Sequence, residues 1–213
     1  MLRTFGVVVA LQFIAWTPGW ACTGQVGTDI FQDKFTDDSG GWDEYPPQSA
    51  VVPPAFVFTL DANNASATSQ NLTFNATDGD YCMDFILPPA IAADNQMYVA
   101  MVFWAADYNN NMQVLVASNS SVTLGKLTSG TWTAISTVQN APAFNSKANA
   151  VNSLRVTALA STITVYLNGT QIKTVRAQEP TNPSRFGIYV QDDTAVANAP
   201  PIKITGYTVT TGK

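Results

Sequence analysis

The chain has 213 residues, with ten Lys plus Arg against fifteen Asp plus Glu and no histidine. Lacking imidazole, it has no Ser-His-Asp or Cys-His catalysis, no histidine-ligated zinc and no histidine pH switch. A formal net charge of −5 argues against nucleic acid as a partner, since affinity for phosphates comes from Lys and Arg.

Residues 1–21 read as a secretory signal peptide. Arg3 opens it, an apolar stretch runs from Phe5 to Trp16, Pro18 breaks the helix, and Gly19 and Ala21 supply small residues for cleavage. The apolar stretch is shorter than the roughly 20 residues of a membrane-spanning helix, and no later segment is long and apolar enough to span. The expected location is therefore secreted or periplasmic. The two cysteines, Cys22 and Cys82, suit that oxidising setting and are expected to form a disulfide. A lipid anchor on Cys22 is the alternative, disfavoured because Gly19 stands where a lipobox usually has leucine.

After a leader at 22–30, one domain is expected over 31–213, and its composition favours strands. Thr, Ser, Asn and Val are plentiful, and Glu44 and Glu179 are the only glutamates. A first strand at 30–35 ends in the turn chemistry of Asp37-Asp38-Ser39-Gly40-Gly41. Strand-like runs follow at 56–60, 71–75 and 81–87, separated by Pro46-Pro47, Pro53-Pro54 and Pro88-Pro89. Residues 97–106 are almost uniformly apolar and predict a strand buried on both faces, turning at Asn109-Asn110-Asn111 into another at 112–118. Further strands are expected at 122–127, 132–138, 153–159 and 162–167. Asn168-Gly169 then supplies a tight hairpin turn into 171–176, and 185–191 and 202–210 close the domain. About a dozen strands and no convincing amphipathic helix after residue 30 predict an all-β fold, a two-sheet antiparallel sandwich or jelly roll.

Several stretches carry a family resemblance. Asn152-Ser153-Leu154-Arg155-Val156 followed by Ser161-Thr162-Ile163-Thr164-Val165-Tyr166-Leu167-Asn168-Gly169 resembles the late hairpin of concanavalin A-like and laminin G-like jelly rolls. Phe31 to Phe35 with Ser39-Gly40-Gly41-Trp42 resembles their opening strand and turn, and Val102-Phe103-Trp104 through Asn110 their central strand. Gly130-Thr131-Trp132 and Ser184 to Val190 resemble later strands. The nearest group is that of exported bacterial 3-keto-disaccharide hydrolase-like domains. The resemblance implies a concanavalin A-like jelly roll and leaves activity open.

Family-16 glucanases share that architecture and use a Glu-x-Asp-x-x-Glu run, which sets alternating carboxylates on one face of a strand. This chain contains no such run. Sugar binding needs aromatic faces for stacking and amides or carboxylates for hydroxyls. Trp104, Asp107, Tyr108, Asn109 and Trp132 supply those types and are the candidate ligand-binding residues; Trp42 and Tyr45 are of the same kind. Taken singly, Trp42 and Trp104 read as core, whereas Trp132 and the turn-flanking Tyr108 read as the more exposed pair. Asp107 is also the best candidate for an acid or base, against the plainer reading of a solvated turn aspartate.

The resemblance also implies a structural calcium. Asp37-Asp38, Asp78-Gly79-Asp80 and Asp192-Asp193 offer oxygen ligands, although none forms an EF-hand loop and solvated or turn-capping aspartates are the favoured reading of all three. Asn-x-Ser/Thr sites begin at Asn64, Asn71, Asn75, Asn119 and Asn168. The expected function is an exported, non-catalytic lectin-like module that binds a glycan or another extracellular polymer. The alternatives are an Asp-dependent hydrolase of 3-keto-disaccharide type and a structural or adhesion module of the cell envelope.

Overall fold

The computed structural model describes residues 22–61, 65–89, 96–180, 184–194 and 199–212. The expected signal peptide lies outside them. Among the described residues there are 14 strands and no helix, and therefore no helix long and apolar enough to cross a membrane.

The strands build two antiparallel sheets. One holds β1 (Asp29–Asp33), β2 (Ser49–Val52), β3 (Ala55–Phe58), β5 (Gly79–Ile86), β10 (Val151–Leu159), β11 (Thr162–Leu167), β12 (Thr170–Arg176) and β14 (Ile202–Thr210). Its order is β12-β11-β10-β5-β14-β3-β2, with β1 also paired to β14. The other runs β4-β13-β6-β7-β8-β9, from β4 (Ser66–Gln70), β13 (Arg185–Asp192), β6 (Met97–Asp107), β7 (Asn110–Ala117), β8 (Val122–Thr128) and β9 (Thr131–Val138).

Side chains alternate across a strand, so each sheet has an inner and an outer row. In β5, Tyr81, Met83 and Phe85 enter the core; in β6, Met97, Val99, Met101 and Phe103 do the same. Between the sheets Phe31, Trp42, Phe186 and Tyr207 pack ring to ring, with centroids 5.2 to 6.4 Å apart. The apolar run expected to be buried on both faces is β6, buried from Val99 to Ala105. Asn168 and Gly169 take the left-handed backbone of the expected hairpin turn, with φ of 48° and 78°.

Two strands differ from expectation. The run expected at 71–75 is a turn, and the strand lies earlier, as β4 (Ser66–Gln70). Asn71 is the cause: its side-chain carbonyl accepts from the Thr73 and Phe74 amides at 3.1 and 2.9 Å, while its amide donates to the Gly40 carbonyl. This asparagine-centred turn reverses the chain and leaves Leu72 and Phe74 exposed. It also buries Asn71, the acceptor of one glycosylation motif, and the side chain at the Asn168 motif is occupied in bonds to Ser153 and Ala143. The second difference is β2, unforeseen because it has four residues and abuts Pro53-Pro54.

Close approach of β4 to β13 depends on Gly187, where a Cβ would collide with the Ser69 carbonyl and lie 3.1 Å from Gln70 Cα. Backbone cannot yield as a side chain would, so Gly187→Ala is expected to cost about 1–3 kcal/mol. Urea denaturation checks this; an unchanged midpoint would show that the two strands separate freely.

The leader is a strap across the outer face of the eight-stranded sheet. Cys22 is disulfide-bonded to Cys82 as expected, which occupies the sulfur that a lipid anchor would use. Gln25 Nε2 donates to the Asp80 carbonyl at 2.7 Å, the Val26 amide to Asp80 Oδ2, and Thr210 Oγ1 to the Val26 carbonyl. Beneath it Asp80 receives Arg155 Nε and Nη2 at 2.8 and 2.7 Å, and Arg155 lies over the Tyr166 ring. This cover explains why β5 is buried on both faces. The disulfide and the sandwich fold fit an extracellular location.

Candidate functional site

Among the described residues no such strap crosses the outer face of the six-stranded sheet. Its rows follow from register: Gln70, Gly187, Val102, Gln113 and Gly125 align across five strands, and Thr68, Tyr189, Ala100, Leu115 and Thr123 form the next row. Small residues in the middle strands leave room above them, and large polar and aromatic residues stand around that room. Two adjoining depressions of about 260 and 320 Å³ result, sharing Leu115, Trp132 and Gln191. One is lined also by Tyr98, Thr123 and Asp193, the other by Thr68, Tyr108, Gln113 and Tyr189. Together they form a groove.

Trp132 stands on the edge strand β9 and is 37% exposed. Its indole lies over Gly125 of β8, where a Cβ would come within 2.5 Å of the six-membered ring. Glycine at that position lets the ring lie against the sheet and keeps it beside the groove. Tyr108, 38% exposed, occupies the β6–β7 turn and donates its hydroxyl to Asp43 Oδ2. Asp43 also accepts from the Gln70 amide, and burial raises its pKa, with Arg185 acting in the opposite direction. At the other end Tyr189 donates to Gln191 Oε1 and Gln191 Nε2 donates to Asp193 Oδ1, each at 2.6 Å. Burial raises the pKa of Tyr98 and Tyr189, with Asp193 adding to both. These phenols remain neutral donors at physiological pH.

The five residues singled out in the sequence divide three ways. Tyr108 and Trp132 line the same depression. Trp104 is 5% exposed and faces the core side, its indole N–H held by the Thr77 carbonyl at 2.6 Å and its ring 5.7 Å from Phe103. A bulge between Phe103 and Asp107, with φ of 49° at Trp104, turns it there. Asp107 and Asn109 form the turn itself. Asp107 accepts from the Asn110 side chain and the Asn109 amide, bonds that hold its carboxyl below the usual range. A carboxylate so held is a turn cap and a poor general acid. The Asn109 carbonyl accepts from the Gly130 amide, which joins this turn to the β8–β9 turn beside Trp132.

Sequence reasoning missed Asp43, Thr68, Tyr98, Gln113, Tyr189 and Gln191. The one available signal was period-2 alternation, as in Asn111-x-Gln113-x-Leu115, which is informative only once the outer face is known.

No groove-facing strand position in the aligned rows carries a carboxylate. Asp43 and Asp193 lie at opposite ends, separated along β13 by about the span from Gly187 to Gln191, roughly 13 Å of extended chain. Paired-carboxylate glycosidases hold theirs about 5–9.5 Å apart. The acidic pairs weighed for calcium are also dispersed: Asp37 caps Ser39, Asp80 holds Arg155, Asp192 caps Thr194 and Asp193 takes Gln191. Among the described residues the one cluster of three candidate ligands is Cys22, Cys82 and Asp84. Its sulfurs are already in the disulfide, so these donors do not fit a calcium shell of six to eight oxygens.

No protein-family model matches the chain, and no curated protein matches it. Among solved structures it is similar to the carbohydrate-binding module CBM66 from Bacillus subtilis, at 16% identity and a TM-score of 0.59 over 80% of this chain and 94% of that one. It is similar to a Bacillus licheniformis beta-glucanase at 12% identity and a TM-score of 0.63, covering 87% and 99%. The Emp47p carbohydrate recognition domain matches at 13% identity and a TM-score of 0.67, covering 90% and 99%. At these identities the likeness establishes the fold, a concanavalin A-like jelly roll.

Proposed function

We propose that the chain is an exported, non-catalytic lectin-like module that binds a glycan along the groove of the six-stranded sheet. One observation carries this reading: Trp132, Tyr108 and Tyr189 surround a floor of small and amide-bearing residues that holds no carboxylate. Aromatic rings cover the apolar faces of sugars, while Gln113, Gln191 and Thr68 exchange hydrogen bonds with hydroxyls. The carbohydrate-binding module and the recognition domain among the similar structures support the same reading. The beta-glucanase shares the fold, but the aligned groove rows of this chain lack the carboxylate pair that glycosidase chemistry requires.

A glycan array with protein beginning at Cys22, run with and without calcium, tests this directly. Binding is expected, and a flat signal in both conditions would overturn the reading. For a captured glycan, Trp132→Ala is expected to lose about 2 kcal/mol, roughly thirtyfold in Kd, with little change in stability. Equal affinity in the variant would remove the groove from consideration.

A hydrolase acting through Asp43 is the second reading, favoured by the burial that raises that carboxyl beside Tyr108. Release of product from a 3-keto-disaccharide, lost in Asp43→Asn, would establish it.

A further inference from the structure

A third cavity, of about 880 Å³, opens at one edge of the sandwich and meets the groove at Leu127, which lines both. It lies where the sheets part, between the β8–β9 side of one and the end of β12 in the other. Met112 pairs with Lys126, so the core-facing row of β7 continues onto β8 as a lysine. On β9 the exposed Ile135 lines the same space. Trp104 forms part of its wall, anchored by the Thr77 carbonyl. From the other sheet come Arg176 and the segment through Gln178 and Glu179.

Its charges set it apart. Lys126, Arg176 and Glu179 all line the cavity, yet among the described residues none of them makes an ion pair or a side-chain hydrogen bond. Arg155, by contrast, is bonded twice to Asp80. In a chain with fifteen acidic against ten basic residues, two unpaired cations on one recess focus positive potential there. Apolar walls beside them suit the carbon face of a sugar, and Asn110, Gln178 and Glu179 suit its hydroxyls.

We propose that this edge cleft, whose charged residues lie outside the groove, is a second binding site for an anionic sugar residue. Its acid group, a carboxylate or a sulfate ester, sits between Lys126 and Arg176. Exposed charges hold ligands weakly and are screened by salt, so the site is low-affinity and salt-sensitive.

The test is heteronuclear NMR titration of the oxidised protein with oligogalacturonate, a sulfated disaccharide and a neutral oligosaccharide. Shifts at Trp104, Lys126 and Ile135 are expected with one or both acids, which also identifies the acid group preferred. Lys126→Gln with Arg176→Gln is expected to weaken binding at least about tenfold. About 1 M salt, where the Debye length is about 3 Å, is expected to abolish it. Trp132→Ala is expected to leave this binding unchanged, which separates it from the groove. Absence of binding by either acid, binding indifferent to the two substitutions, or loss in Trp132→Ala would each overturn the proposal.

Discussion

Replacing Asp80 with alanine is expected to cost about 2–4 kcal/mol, toward the lower end for a buried pair because the Arg155 guanidinium left without its counter-charge is only partly buried. The Asp80 side chain is 0% exposed and that of Arg155 15%. The guanidinium meets the carboxylate through two donors, the fork geometry that makes such pairs strong. The Val26 amide also loses its acceptor, so the strap loosens with the pair. Asp80→Ala combined with Arg155→Met is expected to recover most of the loss, since the cost lies in the orphaned charge. Asp84, on the same face of β5, provides the contrast. Burial raises its pKa, the Ser153 hydroxyl donates to it, and no ion pair to it is found among the described residues. Asp84→Asn is therefore expected to be neutral or stabilising at pH 7. Urea denaturation at fixed pH checks all three; a loss below about 1 kcal/mol for Asp80→Ala would show that the pair is no more than a surface contact.

Removing the disulfide, by paired Cys22→Ser and Cys82→Ser, is expected to cost about 4 kcal/mol. The crosslink closes a loop with a sequence separation of 60, and the chain-entropy account scales with the logarithm of that length. The disulfide and Asp80 hold the same strap, so their effects will not add. Once the crosslink is gone the strap is free to lift, and Asp80→Ala should then cost less than it does in the oxidised protein. A double-mutant cycle gives the coupling directly. Full additivity would mean that the strap and the ion pair are energetically separate.

What the sequence revealed and what it concealed differ by mechanism. β6 was legible because a buried strand must be apolar along its length, and the turn after β11 because Asn-Gly suits left-handed backbone. The Cys22–Cys82 pair was legible because no other cysteine competes. β4, Ser-Ala-Thr-Ser-Gln, was hidden: it is an edge strand whose residues do not alternate in polarity and whose buried pair, Ser69 and Gln70, is polar. The groove was half legible. Trp132 and Tyr108 were chosen as exposed aromatics, but Asp43 meets Tyr108 across 65 residues of sequence, and Tyr189 reaches the same depression from a strand much later in the chain. Such neighbours arise from strand order, and local pattern carries no information about order. Trp104, taken singly, was read as core, and its 5% exposure agrees; what the sequence concealed is the bulge that rotates its side chain out of the alternation that the rest of β6 obeys and so away from the ligand candidates.

The strap also decides how the molecule can be held. Cys22 is pinned by its sulfur to β5 on the outer face of the eight-stranded sheet, whereas the groove opens on the outer face of the other sheet. With the sheets stacked about 10 Å apart, Cys22 is fixed at the back of the sandwich. A support attached at Cys22 would thus face the back of the sandwich and leave the groove turned outward. The crosslink preserves that orientation even when the rest of the leader is pulled.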